Sequence, residues 1–103
     1  MADDSEARLK ALGLELPAAP PAVANYVPFL IAGDLLFISG QISKRADGTI
    51  LTGLLGRDAT VTQGQEAARA CALNILAQAK AALGSLERIV QVMRLTGFVA
   101  ATS

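Results

Sequence analysis

Apolar residues in this chain follow two periods. From Gln63 to Leu83, Ala68, Cys71, Ala72, Ile75, Ala79, Ala82 and Leu83 recur at steps of three and four. That spacing predicts a long helix with one apolar face, with Glu66, Arg69 and Gln78 lying mostly away from it. Thr62 followed three residues later by Gln65 has the form of a capping box, and Gly84 marks the stop. Elsewhere the apolar residues come in short runs rich in β-branched and aromatic side chains. Tyr26 to Ile31 and Leu35 to Ile42 predict two strands joined by a turn at Ala32-Gly33-Asp34. The run Leu35-Leu36-Phe37-Ile38 suggests a strand buried on both faces. Thr49 to Leu55 suggests a short third strand, and Ile89 to Ala100 a last one.

The N-terminal part reads differently. Asp4 or Ser5 is placed to cap a short helix through Leu12, with Leu9 and Leu12 on one face and Gly13 ending it. All four prolines, at positions 17, 20, 21 and 28, then fall between Leu14 and Pro28. Proline fixes φ and lacks a backbone donor, so this stretch reads as an extended arm lying over a sheet. The order helix, hairpin, third strand, long helix, strand predicts an α+β layer with the helix on one sheet face. We expect one domain over residues 1–103, with helix and arm over 1–22 and sheet and long helix over 23–103. One helix on so few strands leaves the sheet unfinished. Either another subunit covers it, or a portion of the protein is missing.

Composition narrows the chemistry. There is no histidine among the 103 residues, which removes Ser-His-Asp and Cys-His catalysis and His-rich zinc sites. Proton transfer falls to carboxylates, Tyr, Lys or water. Asp34, Asp47 and Asp58 sit in turn contexts, and no carboxylate pair has spacing suited to a metal or an acid/base dyad. No metal and no cofactor are expected. Nine basic residues balance nine acidic ones, so no polyanion-binding face is implied, and nucleic acid is not an expected partner. A single cysteine, Cys71, forbids an intrachain disulfide and favours a reducing compartment. It reads as a small buried hydrophobe. No apolar run is long enough to cross a bilayer, and Met1 to Glu6 is acidic, unlike a signal peptide. A cytoplasmic protein is expected. Gly53 and Gly56 lack the Lys-Ser/Thr ending of a phosphate loop.

One constellation carries a family resemblance. Tyr26, Gly33-Asp34 and then Leu36-Phe37-Ile38-Ser39-Gly40-Gln41-Ile42 stand in ungapped order. Asp47-Gly48, Gln65-Glu66-Ala67, Asn74-Ile75-Leu76 and Arg94-Leu95-Thr96-Gly97-Phe98-Val99 follow. Together, over about Val23 to Val99, these resemble the RidA/YjgF family of reactive intermediate deaminases, in a subgroup with an N-terminal helix. The resemblance implies a chorismate-mutase-like mixed sheet with helices on one face, assembled as a homotrimer with clefts between subunits. It implies hydrolysis of 2-imino acids to 2-keto acids and ammonia, as in a 2-iminobutanoate/2-iminopropanoate deaminase. Tyr26 would be the catalytic pocket phenol, and Ser39 and Gly40 would bind substrate. The family's carboxylate-binding arginine and water-positioning glutamate belong to a later portion without counterpart here, so the chain is expected to be incomplete at its C-terminus. Arg69 and Arg94 do not match their motifs and read as solvated charges. Two rival readings stand beside the deaminase: a non-catalytic binding or interaction protein on the same scaffold, and a truncated inactive fragment.

Overall fold

A computed structural model describes residues 5–21 and 25–102. Helix α1 spans Ser5–Ala11, strand β1 Phe29–Ala32, strand β2 Leu35–Ile38 and helix α2 Val61–Leu83, followed by a 3-10 turn at Leu86–Arg88. The arrangement is α+β: α2 packs on both strands of the hairpin.

The hairpin follows from its turn. Gly33 has φ 60, and Asp34 keeps a negative φ, the pattern of a II′ turn with glycine at its first central position. Its twist matches that of the strands and fixes the pairing Phe29 with Ile38, Leu30 with Phe37, Ile31 with Leu36 and Ala32 with Leu35. The ladder then ends for a chemical reason. Ser39 N–H donates to Pro28 O at 2.9 Å. Pro28 has no N–H to return, so Ser39 O takes the side-chain amide of Gln41 instead, at 3.0 Å.

Burial of β2 alternates. Leu36 and Ile38 are half-buried, whereas Leu35 and Phe37 are exposed. The expectation of a strand buried on both faces is therefore corrected: α2 covers one face, and among the described residues nothing covers the other. The strands are also shorter than expected, starting at Phe29 rather than Tyr26 and ending at Ile38 rather than Ile42. The proposed third strand reduces to single bridges at Ile50 and Leu55, because the backbone turns sharply at Asp47-Gly48 and again between Leu54 and Ala59.

Helix α2 starts two residues earlier than the chosen capping box. The sequence holds two overlapping Thr-x-x-Gln frames, and the first is used. Thr60 Oγ1 accepts from Gln63 N–H at 3.1 Å, and Gln63 Oε1 accepts from Thr60 N–H at 2.8 Å. Ala59 bridges Leu55, holding the chain extended up to Thr60, whose φ of −87 and ψ of 165 suit an N-cap. Gly84 closes the helix in the left-handed region, φ 82, its N–H donating to Lys80 O.

The buried face of α2 overlaps the expected one only in part: Ala79 is buried as expected, and Cys71, Ile75, Ala82 and Leu83 are half-buried. Ala70, Asn74, Ala77, Gln78 and Ala79 are buried, while Ala68 and Ala72 are exposed. Gln78, assigned from sequence to the polar side, is only 2% exposed. Alanine surrounds this helix, so its apolar periodicity does not decide which face turns inward. Two amides do. Asn74 Nδ2 donates to Ile42 O at 3.1 Å and Lys44 O at 2.9 Å, and Gln78 Nε2 donates to Pro20 O at 2.6 Å. A buried amide is tolerated when its hydrogen bonds are made.

Helix α1 forms as expected and ends at Gly13, though Leu12 is exposed. Asp4, one of its proposed caps, lies outside the described residues, as does the boundary at residue 22 between arm and sheet. Glu87 accepts from Ser5 N–H at 2.6 Å, and Lys80 pairs with Glu6, pinning α1 to the end of α2 and the 3-10 turn. The last expected strand, Ile89 to Ala100, runs outside any ladder. It meets the rest of the chain at one parallel bridge, Leu55 with Ala101, and Val90, Met93, Phe98 and Val99 are exposed. A strand needs a neighbour to exchange hydrogen bonds with, and the described residues provide none for this segment beyond Leu55.

Candidate functional site

Where the hairpin ladder stops at Pro28, its two strands part. The proline arm crosses on one side and α2 lies beneath. The resulting cleft is lined by Tyr26 and Pro28 from one strand end, Gly40 to Ile42 and Lys44 from the other, Pro20 and Pro21 from the arm, and Asn74 and Gln78 from α2. The two helix amides hold its walls: Gln78 fastens the arm, and Asn74 fastens the segment after β2.

Of the three residues singled out in the sequence, two line this cleft. Tyr26 is 42% exposed, so its phenol is open to solvent and to a ligand. Gly40 places backbone at the wall, and among the described residues its N–H has no acceptor. Ser39 is turned the other way. Its hydroxyl donates to Val27 O at 2.6 Å and its N–H to Pro28 O, so it fastens the strand end. With its proton committed, Ser39 Oγ is left as an acceptor only.

Lys44, Asn74 and Gln78 were missed as lining residues. A readable signal existed: two amides four residues apart, and thus on one helix face, within an alanine-rich stretch. Side-chain amides buried among alanines need acceptors, and the irregular backbone of a proline arm offers them.

The remaining charges lie elsewhere. Arg45 pairs with Glu66 at 3.1 Å and Arg57 with Asp58 at 3.2 Å, both at the surface. Arg69 and Arg94 are exposed and outside the cleft. Asp58 is held below the usual carboxylate range by Leu54 N–H and then Arg57, and Asp47 by Thr49. Burial pushes the Cys71 thiol up, against nucleophilic use at neutral pH. Among the described residues no three His, Cys, Asp or Glu side chains cluster as a metal site, and no helix is long and apolar enough to cross a membrane.

The cleft is thus lined by a tyrosine, a free backbone donor, a lysine and two side-chain amides around a small space. Residues 6–102 match the family described as "YjgF/chorismate mutase-like, putative endoribonuclease". The chain belongs to the YjgF family. Protein TCP17 of Trypanosoma cruzi is 48% identical over 93 residues, covering 90% of this chain and 58% of that protein. The crystal structure of Atu1372 from Agrobacterium tumefaciens, a protein of unknown function, is 53% identical with a TM-score of 0.74, covering 85% of this chain and 54% of the other. That of a "putative endoribonuclease" from Shewanella oneidensis MR-1 is 45% identical with a TM-score of 0.81, covering 87% and 60%. The α+β, chorismate-mutase-like fold read from the sequence is that of this family. The chain spans a little over half the length of these YjgF-family relatives.

Proposed function

We propose that this YjgF-family domain hydrolyses reactive 2-imino acids, in equilibrium with their enamines, to 2-keto acids and ammonia in the cytoplasm. The observation that carries the reading is the meeting of Tyr26 and Gly40 in one cleft of a YjgF-family chain. In the reaction, water adds to C2 of the 2-iminium acid and the resulting aminol expels ammonia. Iminium and water give keto acid and ammonium, with no electron transfer. The Tyr26 phenol faces the leaving nitrogen and passes it a proton, and the Gly40 N–H donates to the substrate carboxylate. Activation of the water belongs to the remainder of the site. The active form is a homotrimer, a reading supported by the exposed apolar face of the hairpin.

The test is ammonia release from 2-iminobutanoate, generated in place by an amino-acid oxidase, using the intact protein and its Tyr26→Phe variant. Rapid release, slowed about tenfold or more in the variant, is expected for a lost proton donor. No release above the uncatalysed rate would overturn the reading.

The description of the family as an endoribonuclease favours a second reading, RNA cleavage, so the same preparation is to be tested on RNA. Against it stand the lack of histidine and the balance of nine basic with nine acidic residues, where such a substrate asks for a basic excess.

A further inference from the structure

Lys44 lines the cleft, and among the described residues it pairs with no carboxylate. Its backbone is fixed on both sides: its N–H donates to Ile42 O at 2.9 Å, its carbonyl accepts from Asn74 at 2.9 Å, and it bridges Ile50. Among the described residues no acidic side chain lies within ion-pair distance of it. Its neighbour Arg45 is taken by Glu66. Glu15 borders an adjoining hollow that Lys44 also lines, yet the two do not pair. Lys44 is half-buried, and in the cleft it stands with the free Gly40 N–H, the Tyr26 phenol and the amides of α2. A half-buried lysine that lines the same cleft as a free backbone donor suits an anion, since a charge-assisted hydrogen bond exceeds a neutral one.

We propose that Lys44 anchors the carboxylate of the cleft's ligand, positioning it rather than taking part in bond making. The inference rests on the reading of the cleft as a site for a small carboxylic acid. The ammonium and the Gly40 N–H hold the two carboxylate oxygens, leaving C2 toward Tyr26. Lysine suits this role as a compact charge on a flexible stem, where the arginine that the family resemblance implies would act as a flat fork. The two cations are separate contributions to one site.

The test is equilibrium binding, which does not depend on turnover. The intact protein and its Lys44→Gln, Lys44→Arg and Arg45→Gln variants are titrated with 2-oxobutanoate, and with 2-oxobutanamide as an uncharged partner of the same shape. Lys44→Gln should weaken 2-oxobutanoate by about tenfold or more, the size expected for a hydrogen bond to a charged group. It should leave 2-oxobutanamide within about twofold, since that ligand lacks the charge the ammonium pairs with. Lys44→Arg should recover most of the loss, and Arg45→Gln should change neither ligand, separating a local anchor from the general field of the surface. Unchanged 2-oxobutanoate affinity in Lys44→Gln, equal losses for both ligands, or no binding of 2-oxobutanoate to the wild type would each overturn the proposal. Lys44-dependent carboxylate binding without any deamination would uphold it while removing the deaminase reading.

Discussion

Gln78, near the end of α2, holds the backbone carbonyl of Pro20 at 2.6 Å across 58 residues of chain. The glutamine is 2% exposed, so the bond is shielded from competing water. It is the attachment of the proline arm to the helix.

Replacing this amide by a group of similar bulk that cannot donate tests the attachment. Gln78→Leu should lower stability by about 1 kcal/mol, the net worth of a hydrogen bond whose half-buried acceptor loses its donor. The loss should appear in urea unfolding, and limited proteolysis should cut the arm near Pro20 sooner than in the wild type. An arm as resistant as before would show that the prolines hold it without the glutamine.

Leu30 and Phe37 are cross-strand partners on the uncovered face of the hairpin, 59% and 56% exposed. A paired apolar patch of this kind favours association. The double variant Leu30→Thr, Phe37→Thr keeps strand propensity while removing apolar area, and sedimentation should shift from the proposed trimer toward monomer by at least about tenfold in the midpoint concentration. An unchanged sedimentation profile would rule this face out as the contact of the proposed trimer.

The loop carboxylates give a pH signature. Asp47 accepts from Thr49 N–H at 2.9 Å and Asp58 from Leu54 N–H. These bonds favour the charged form and hold both groups below the usual value of 3.8. A lowered folded value means that the contribution is present above the unfolded value and lost as pH falls through the folded one. The two turns should therefore stay intact at neutral pH and loosen only below 3.8. The amide proton shifts of Thr49 and Leu54 should titrate with midpoints under that value, and a midpoint at or above it for either amide would contradict the bond.

Much of the fold was legible because single residues dictate it. Gly33-Asp34 set the hairpin turn, Gly84 the helix stop, and the prolines the arm. The helix start was ambiguous between two equal Thr-x-x-Gln frames, and only the bridge of Ala59 to Leu55 chooses between them. The buried face of α2 was misread in part because Gln78 was counted as surface, although Asn74 and Gln78 find acceptors thirty or more residues away. Such long-range bonds leave no local pattern. Of the site, Tyr26 and Gly40 were legible through the motif, and Lys44 was not, since its place depends on where Asn74 holds its carbonyl. The segment from Ile89 to Ala100 carries strand chemistry, but pairing belongs to a neighbour and not to the strand itself.

Asn74 and Gln78 stand four residues apart on α2, and each grips a different wall of the cleft. One helical step of four residues is about 6 Å of rise. The helix therefore works as a ruler. The spacing of the two amides along α2 sets where the arm and the hairpin end are held. For the few-carbon acid proposed above, the gap between them sets a limit on size before any charge is read.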